Sequence, residues 1–298
     1  MHTTPMLRAS SLGEPLGIDL HLKAELFQKT GSFKVRGALH KVSRLDAVER
    51  RRGLVTISAG NHAAALAYAA TSAGVACTVV MPANANPTKA EATRAYGAEV
   101  LLHGDVQQAF ERCHQLERER NLRYIHAFDD PEIIAGAGTL GLECIEQLPD
   151  ADAIVVPVGG GGLIAGVAIA VKHLRAQTRI YGVEPQGAAA MWKSLQEGRP
   201  ATLDKIHTVA DGLAPPMAGK LNFEIVRRYV DDMVQVSDAE ILAAMRDLMT
   251  RAKLFAEPAG AAALAALQTG RIPTTPGARV IAVVSGGNID LEQLRTLL

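Results

Sequence analysis

The sequence has few aromatic residues, and this bears on the class of protein. Phe, Trp and Tyr make up 4% of the 298 residues, whereas apolar residues together reach 48% and glycine occurs 27 times. A composition rich in Ala, Val, Leu and Gly is typical of an α/β enzyme. The length suits two packed domains better than a single core.

An excess charge of either sign is also missing. Lys plus Arg and Asp plus Glu both number 31, so the formal net charge is zero. No basic block stands out that could bind nucleic acid or an anionic membrane surface. We therefore expect a small molecule as the substrate.

Cysteine is rare and shows no metal-binding spacing. Cys77, Cys113 and Cys144 form no CxxC pair and lie in apolar or helical contexts. Buried, reduced thiols are therefore predicted in place of metal ligands or disulfides. The N-terminus lacks a basic head followed by an apolar run, so no signal peptide is expected and a cytoplasmic location is predicted.

One long uncharged run, residues 154–171, raises the question of a membrane span. Pro157 and the four glycines Gly159–Gly162 would break a helix through this run. The two sides instead predict a strand and a separate helix, and no membrane insertion is expected.

Short apolar runs alternate with helical patterns along most of the chain. Strands are predicted at residues 53–57, 77–81, 99–102, 124–125, 153–158, 179–183 and 280–284, and helices at 61–73, 87–96, 106–120, 132–148, 163–175, 238–251 and 259–267. This alternation indicates parallel sheets built from right-handed βαβ units. Residues 198–219, rich in Pro, Gly and polar residues, are predicted to be an irregular connection.

Four polar or glycine-rich stretches are candidates for a functional site. They are Lys29-Thr-Gly-Ser-Phe-Lys-Val-Arg-Gly-Ala38, Ser58-Ala-Gly-Asn-His62, Val158-Gly-Gly-Gly-Gly-Leu163 and Ser285-Gly-Gly-Asn288. The last three each follow an apolar, strand-like run directly. Because loops at the carboxyl ends of parallel strands converge, the sequence predicts one shared site.

Lys34 and the glycine stretch suggest the chemistry of that site. Lys34 alone could be a solvated helix residue, but a primary amine can also form an imine with an aldehyde cofactor and later act as a base. Four glycines before a helix let backbone N–H groups close around an anion at the positive helix end, whereas a structural turn needs only one or two. Together they predict a lysine-tethered phosphate cofactor.

A nicotinamide enzyme remains the rival interpretation at this point. Glu184 ends the strand that follows the glycine stretch, where a dinucleotide-binding enzyme would place a ribose-binding carboxylate. However, the glycines do not follow the G-x-G-x-x-G spacing.

The four stretches in this order resemble the pyridoxal-phosphate enzymes of the serine/threonine dehydratase and serine racemase family, over essentially the full length. The resemblance implies a two-domain α/β fold of type II, similar to the tryptophan synthase β chain, with parallel sheets flanked by helices. It further implies a large cofactor-binding domain formed by residues 1–50 and 129–298, and a small domain formed by residues 51–128.

The resemblance also implies roles for individual residues. Lys34 would hold the cofactor aldehyde, Phe33 would lie beside the ring, Asn61 would bind the ring hydroxyl and Ser285 would face the pyridine nitrogen. The phosphate would be bound by Gly159, Gly160, Gly161, Gly162 and Leu163, and Gly212 would line the ring edge. The substrate carboxylate would be bound by Ser58, Ala59, Gly60, Asn61 and His62.

His62 and Glu257 also receive expected roles. His62 is expected to orient its loop and not to transfer protons. By the resemblance, the cofactor phosphate would protonate the departing β-hydroxyl. Glu257, in Ala256-Glu-Pro-Ala259, is the rival donor and another cofactor contact, although a Glu before Pro is as often a helix N-terminal residue.

The sequence departs from the family at positions that discriminate among its activities. Racemases carry a second serine where Ala59 stands, and a methyl group cannot move a proton, so efficient racemisation is not expected. A divalent cation in the family would use the places of Glu184, Ala188 and Ala190. Without an acidic side chain at Ala190 too few oxygens remain, and no metal is expected. The chain stops shortly after Ser285, so no C-terminal regulatory domain is expected.

These observations predict a lyase. We expect pyridoxal 5'-phosphate as the cofactor and dehydration with deamination of a small β-hydroxy amino acid, L-threonine or L-serine first, giving a 2-oxo acid and ammonia. Alternatives on the same scaffold are hydroxyaspartate or an aryl-serine as substrate and, less favoured, serine racemase activity. A cofactor-carrying binding protein without turnover is the non-enzyme alternative. A homo-oligomer, dimer or tetramer, is also expected.

Overall fold

The computed structural model describes residues 1–298 and contains two compact units. One comprises Lys34–Gly136 with Met1, and the other comprises His2–Phe33 with Ala137–Leu298. We call them the Lys34 unit and the glycine-loop unit. The division expected from the sequence, in which residues 51–128 form a small domain, stays a prediction.

Ten strands and thirteen α-helices make up the two units. The strands are β1 (Met6–Arg8), β2 (Asp19–Ala24), β3 (Leu54–Ile57), β4 (Cys77–Met81), β5 (Glu99–Leu102), β6 (Arg123–Tyr124), β7 (Ala153–Pro157), β8 (Arg179–Pro185), β9 (Asp232–Val236) and β10 (Arg279–Val284). The helices are α1 (Ser10–Gly13), α2 (Lys34–Arg44), α3 (Ala47–Arg52), α4 (Asn61–Ser72), α5 (Pro87–Ala95), α6 (Val106–Glu119), α7 (Pro131–Gln147), α8 (Gly162–Leu174), α9 (Ala190–Glu197), α10 (Lys220–Tyr229), α11 (Asp238–Thr250), α12 (Pro258–Gln268) and α13 (Leu291–Leu297).

The Lys34 unit is built on a four-stranded parallel sheet in the order β5-β4-β3-β6. Every residue of β4 is buried, as expected for a central parallel strand covered on both faces. One face packs against α2 and α4, and the other packs against α6. The carboxyl ends of β3 and β6 therefore lie at the same edge of this sheet.

The glycine-loop unit is built on a six-stranded sheet in the order β1-β2-β10-β7-β8-β9. All neighbouring pairs are parallel except β1 and β2, which are antiparallel. Helices α11 and α12 cover one face, while α8 and α10 cover the other. The predicted α/β architecture of parallel sheets flanked by helices is confirmed.

Most predicted elements occur within one or two residues of their expected bounds. Side chains cap several of these helices: the Asp105 and Ser237 side chains form capping boxes, and Asn86 caps α5, which has proline at its first position. The run at residues 154–171 divides into β7 and α8, as predicted. No helix in the chain is both long and apolar enough to cross a membrane.

Strand β2 was not predicted, because its apolar pattern is interrupted by a fully buried lysine. Lys23 Nζ lies 2.6 Å from Glu143 Oε2 and donates to the Thr4 carbonyl at 2.9 Å. It also donates to Gln147 Oε1 at 2.8 Å. A buried charge is tolerated when it is paired and hydrogen-bonded, and two of these partners lie far away in sequence.

The three cysteines are buried and unpaired, as the sequence predicts. Burial raises the thiol pKa of Cys77 to about 12, and burial with the nearby Glu117 does the same for Cys113. These thiols are therefore protonated at neutral pH.

In the Lys34 unit, α2 and the first turns of α7 cross at two glycines. A Cβ at Gly136 would lie 2.5 Å from the Arg36 carbonyl oxygen and 2.7 Å from the Cα of Gly37. A Cβ at Gly37 would lie 2.8 Å from the Ile133 carbonyl oxygen. Both neighbours are backbone and cannot rotate away, so glycine sets the approach of the helix that begins at Lys34.

This crossing predicts that Gly136→Ala destabilises the protein. Helix propensity alone would favour alanine by about 1 kcal/mol, but overpacking against backbone costs about 1 to 3 kcal/mol. We expect a lower midpoint of urea unfolding followed by circular dichroism. Ala135→Ser, on the exposed side of the same helix, is the control and should change little. An unchanged or raised midpoint for Gly136→Ala would contradict the close crossing.

Candidate active site

Lys34 is the first residue of α2, in agreement with the sequence prediction. The helix is held by its buried residues Val35, Ala38 and Val42, which pack in the same core as α4. The Lys34 side chain donates from Nζ to the Ala127 carbonyl at 3.1 Å. Ala127 follows β6, so the lysine amine is directed to the carboxyl edge of this unit's sheet.

The stretch Ser58–His62 lies at the same edge, between β3 and α4. The Ser58 hydroxyl accepts a hydrogen bond from the Gly60 N–H at 3.2 Å. Gly60 is the N-cap residue of α4, no side chain caps this helix, and a Cβ at Gly60 would meet open space. An uncapped helix start with space above it suits a carboxylate.

His62 is buried and points into the unit. Its Nε2 lies 3.2 Å from Thr56 Oγ1, and that hydroxyl donates to the Ile125 carbonyl at 2.8 Å. Burial, then the charges of Lys34 and His126, lower the His62 pKa to about 3. His62 is therefore neutral at physiological pH and connects β3 to the residues after β6, which fits the expected orienting role.

In the glycine-loop unit, the segment before Lys34 is clasped by the stretch Ser285–Asn288. The Phe33 N–H donates to the Ser285 carbonyl at 3.1 Å, and the Gly287 N–H donates to the Gly31 carbonyl at 3.0 Å. Asn288 Nδ2 donates to the Thr30 carbonyl at 2.7 Å. We call these contacts the 30–33/285–288 clasp. The structure thereby brings Phe33 and Ser285 together.

Thr30 within this clasp has a left-handed backbone, with φ at 63°. Such a conformation is uncommon for a non-glycine residue and an outlier for a β-branched one. The Asn288 hydrogen bond to the Thr30 carbonyl helps to hold it there. Strain of this kind persists only where the surroundings over-determine the backbone.

The glycine stretch Gly159–Gly162 connects β7 to α8, as predicted. Gly161 is the N-cap residue with φ at 93°, and no side chain caps the helix. A Cβ there would lie 2.5 Å from the Met191 methyl carbon and 2.9 Å from the Asn222 Cβ. Only glycine can adopt this positive φ readily and also leave room for these two side chains.

Asn222 fixes the orientation of this stretch. Its Nδ2 donates to the Gly160 carbonyl at 2.8 Å, and the Gly219 N–H donates to the same oxygen at 3.0 Å. The first N–H groups of α8 have no acceptor within the helix and no capping side chain. They therefore form a site for an anion that includes Gly162 and Leu163.

Gly212, Glu257 and Ser285 lie in one neighbourhood of the glycine-loop unit. A Cβ at Gly212 would lie 3.7 Å from Glu257 Oε1, and a Cβ at Gly286 would lie 2.5 Å from the same oxygen. The buried Ser285 hydroxyl donates to the Ala259 carbonyl at 3.5 Å, the outer limit of a hydrogen bond. The Ser285 hydroxyl can therefore form a shorter hydrogen bond with another acceptor or donor.

Glu184 has a structural role at the place of the family's cation site. Its two carboxylate oxygens accept the N–H groups of Met191 and Trp192, at 2.8 and 2.7 Å, in the first turn of α9. Burial raises the pKa of the Glu184 carboxyl to about 8, although these two hydrogen bonds act to lower it. Ala190 is buried beside it, and no group of three or more His, Cys, Asp or Glu side chains could hold a metal ion.

Sequence reasoning missed the residues that support the site. Asn222 is far in sequence from Gly160, and no pattern announces their contact. Ala127 contributes only a backbone carbonyl, which no motif reveals. His126 could have been noticed, since it follows a strand that ends at the predicted edge.

The described groups can be tested against a phosphate cofactor that carries an aldehyde. The uncapped start of α8 offers N–H groups to a phosphate, and Lys34 offers a primary amine. The buried Ser285 hydroxyl can face a ring nitrogen. Each of these groups, taken within its own unit, suits one part of such a cofactor.

Comparison with known proteins defines the family. The sequence model of the family described as "Pyridoxal-phosphate dependent enzyme" matches residues 1–286, and the chain belongs to this family. It is a pyridoxal-phosphate enzyme with the type II fold, which confirms the cofactor and the fold predicted from the sequence and removes the nicotinamide alternative.

Individual relatives are similar over nearly the whole chain. The L-threonine ammonia-lyase of Thermotoga maritima is 42% identical over 299 residues, covering 100% of this chain and 74% of that protein. The phenylserine dehydratase of Ralstonia pickettii is 41% identical over 97% of this chain and 89% of its own length. The structure of maize serine racemase has a TM-score of 0.95 at 37% identity, covering 99% of this chain and 91% of that one.

The buried neutral His62 predicts a pH dependence of stability. In the folded state His62 is protonated only near pH 3, whereas the unfolded chain binds that proton near pH 6.5. Its contribution to the free energy of unfolding is therefore complete above pH 6.5. It is lost as pH falls toward 3, by up to about 1.4 kcal/mol per pH unit.

Urea unfolding between pH 7 and 4.5 measures this effect. His62→Gln should show a shallower loss of stability on acidification than the unchanged protein, whatever its absolute stability. His103→Gln, at an exposed histidine of the same unit, should keep the original slope. Equal slopes for the His62 variant and the unchanged protein would show that His62 is not held neutral.

Proposed function

We propose that this protein is an ammonia-lyase that converts a small β-hydroxy amino acid to a 2-oxo acid and ammonia, with L-threonine and L-serine as the first substrates. The observation that carries the proposal is the 42% identity with the L-threonine ammonia-lyase of T. maritima across the whole chain. The Lys34 amine at the edge of a parallel sheet is consistent with it.

Lys34 is the proposed catalytic base. Bound pyridoxal phosphate supplies an aldehyde that links to amines and a ring that withdraws electrons from the substrate Cα. With cofactor and substrate bound, Lys34 Nζ would take the proton from the substrate Cα. The hydrogen bond from Nζ to the Ala127 carbonyl would orient the amine for this role.

The proposed binding residues divide according to the chemistry of each group. Ser58, Ala59, Gly60, Asn61 and His62 would hold the substrate carboxylate, through the uncapped start of α4. Gly159, Gly160, Gly161, Gly162 and Leu163 would hold the cofactor phosphate at the start of α8. Phe33, Asn61, Gly212, Glu257 and Ser285 would contact the ring.

Ser285 favours elimination over transamination. A hydroxyl facing the ring nitrogen cannot stabilise a full positive charge there, as a carboxylate would. With Ser285 at the ring nitrogen, loss of the β-hydroxyl would be favoured over storage of negative charge on the ring. The overall reaction removes water, and hydrolysis then releases ammonia and the 2-oxo acid.

The departing hydroxyl needs a proton, which the family resemblance assigns to the cofactor phosphate held by Gly159–Gly162, and Glu257 is the rival donor. Its side chain is 3% exposed and lies beside Gly212 and Gly286. It also precedes Pro258 at the start of α12 without capping that helix by its side chain.

Two other activities remain as alternatives. An aryl-serine substrate is favoured by the 41% identity with the phenylserine dehydratase of R. pickettii, and hydroxyaspartate would require only a different side-chain pocket. Serine racemase activity is favoured by the similarity to the maize enzyme. It is opposed by Ala59, which offers no second base.

We also propose that the protein acts in the cytoplasm, as a homo-oligomer and without a bound metal. The balanced charge and the buried thiols support a cytoplasmic location. The commitment of Glu184 to α9 supports a metal-free site. Multi-angle light scattering after size exclusion would give the oligomeric state.

Lys34→Ala should abolish turnover. We expect a loss of at least about a thousandfold in kcat, because the residue that holds the cofactor and moves the proton is gone. The absorption band near ~410 nm that reports an amine-linked cofactor, and its loss on borohydride treatment, should also disappear. Lys29→Ala, at an exposed lysine of the same stretch, is the control. A protein that stays colourless with added cofactor would contradict the proposal.

Substrate choice is tested by release of 2-oxo acid from L-threonine, L-serine, hydroxyaspartate and phenylserine. L-Threonine and L-serine should give the highest kcat/KM, and L-serine should give pyruvate and ammonia with little D-serine, because Ala59 cannot deliver a proton to the opposite face. D-serine in amounts similar to pyruvate would indicate another base on that face. Preference for phenylserine would move the assignment to the aryl-serine alternative.

A further inference from the structure

The turn after β6 has a histidine whose acceptor nitrogen is fully engaged. His126 Nδ1 accepts the N–H of Phe128 at 3.2 Å and the N–H of Asp129 at 2.8 Å. Both contacts require a lone pair on Nδ1, so the ring is neutral and carries its proton on Nε2. The side chain thus closes the turn that contains Ala127.

The same turn is fixed at both ends. The Ile125 N–H donates to the Val55 carbonyl at 2.9 Å, and the Ile125 carbonyl accepts from Thr56 Oγ1. At the other end Asp130 accepts the Glu132 N–H at 2.8 Å and pairs with Lys41 Nζ at 2.7 Å. Between these ends, the His126 side chain supports the backbone at residues 127–129.

The His126 ring itself is restrained by aromatic neighbours. Its centroid lies 6.1 Å from that of Tyr124 and 4.6 Å from that of Phe128, both nearly perpendicular to it. Edge-to-face packing of this kind disfavours rotation of the ring. The acceptor nitrogen therefore stays directed at the two N–H groups.

The carbonyl at the centre of this turn is the one that accepts from Lys34 Nζ. We propose that His126 is a positioning residue for Lys34: by closing the turn at residues 126–129 it directs the Ala127 carbonyl at Nζ and so orients the lysine amine. This inference deepens the proposed function and rests on it, because it assigns a residue that acts through the catalytic lysine.

Protonation of His126 would remove this support, because an imidazolium has no acceptor nitrogen. Burial lowers the His126 pKa from its ordinary value, Lys34 lowers it further, and Asp129 and Asp130 raise it. The neighbouring His62 is neutral and adds no charge at physiological pH. The turn is therefore intact at neutral pH and should open only at a pH below the ordinary histidine pKa of 6.5.

Asparagine provides a matched replacement. Its Oδ1 stands at the same number of bonds from Cβ as Nδ1 of histidine and can accept the N–H groups two and three residues on. His126→Asn should keep the turn and cannot be protonated in this range. His126→Ala lacks the acceptor, and His103→Asn, at an exposed histidine, is the control.

The first test follows the turn directly, without cofactor or activity. Hydrogen exchange of the peptide covering residues 127–131, corrected for the intrinsic pH dependence, should be faster in His126→Ala than in the unchanged protein at pH 7, and should speed up in the unchanged protein as the pH is lowered. The His103→Asn control should behave alike, whereas His126→Asn should show protection that does not change. Equal protection of this peptide in His126→Ala and in the unchanged protein at pH 7 would overturn the inference.

The second test follows Lys34. On mixing cofactor-free protein with pyridoxal phosphate, the visible band should form about tenfold more slowly in His126→Ala, while His126→Asn should restore the rate to within about threefold. In turnover, kcat should fall in the alanine variant by a similar factor with KM nearly unchanged. A merely structural role would lower the folded fraction, and the asparagine variant would not restore both quantities.

Failure of the positioning role of His126 can be distinguished from failure of the proposed function. If the unchanged protein forms the band but turns over no β-hydroxy amino acid, the proposed function fails while exchange and band formation still test His126. If the alanine variant forms the band and turns over at the original rates, the positioning role is wrong and the proposed function stands. If the alanine variant does not fold, the asparagine variant and the pH dependence of exchange decide.

Discussion

The 30–33/285–288 clasp is the contact that holds the segment of the glycine-loop unit ending at Phe33. Phe33, the residue immediately before Lys34, is tied through its N–H to the carbonyl of Ser285. The same short loop holds Thr30 in a left-handed conformation through Asn288. A single set of backbone hydrogen bonds therefore connects the residue before the proposed catalytic lysine to the residue proposed to face the cofactor ring.

Much of the fold could be predicted because its signals are local. Asp105, Ser237 and Asn86 each announce the start of a helix by their own side chains, and all three caps are present. Elements without such a local signal escaped prediction. Strand β2 contains Lys23, whose burial depends on Glu143 and Gln147 far along the chain.

The candidate site divides in the same way. Lys34 and the glycines Gly159–Gly162 announce themselves, because an amine and a run of residues without Cβ are chemically unusual. Their supports are ordinary in sequence: Asn222 holds the glycine loop through one amide, and Ala127 contributes a carbonyl that any residue would have. Sequence patterns therefore indicate the groups that are proposed to react, but they do not indicate the contacts that orient those groups.

The two histidines of the Lys34 unit use neutrality in different ways. His62 is buried with a pKa near 3 and binds Thr56 through an N–H. His126 is partly buried, and the lone pair on its Nδ1 accepts two backbone N–H groups. Both therefore serve as hydrogen-bonding groups beside a lysine, where a charged imidazole would repel the ammonium form of the amine.

The burial of all three thiols has a practical consequence for labelling. Cys77 and Cys113 are protonated far above neutral pH, and Cys144 is equally inaccessible. Maleimide reagents require an exposed thiolate, so the native cysteines should remain unmodified in the folded protein. A single cysteine introduced at an exposed position would then carry a fluorophore or spin label alone, with no need to remove the native ones.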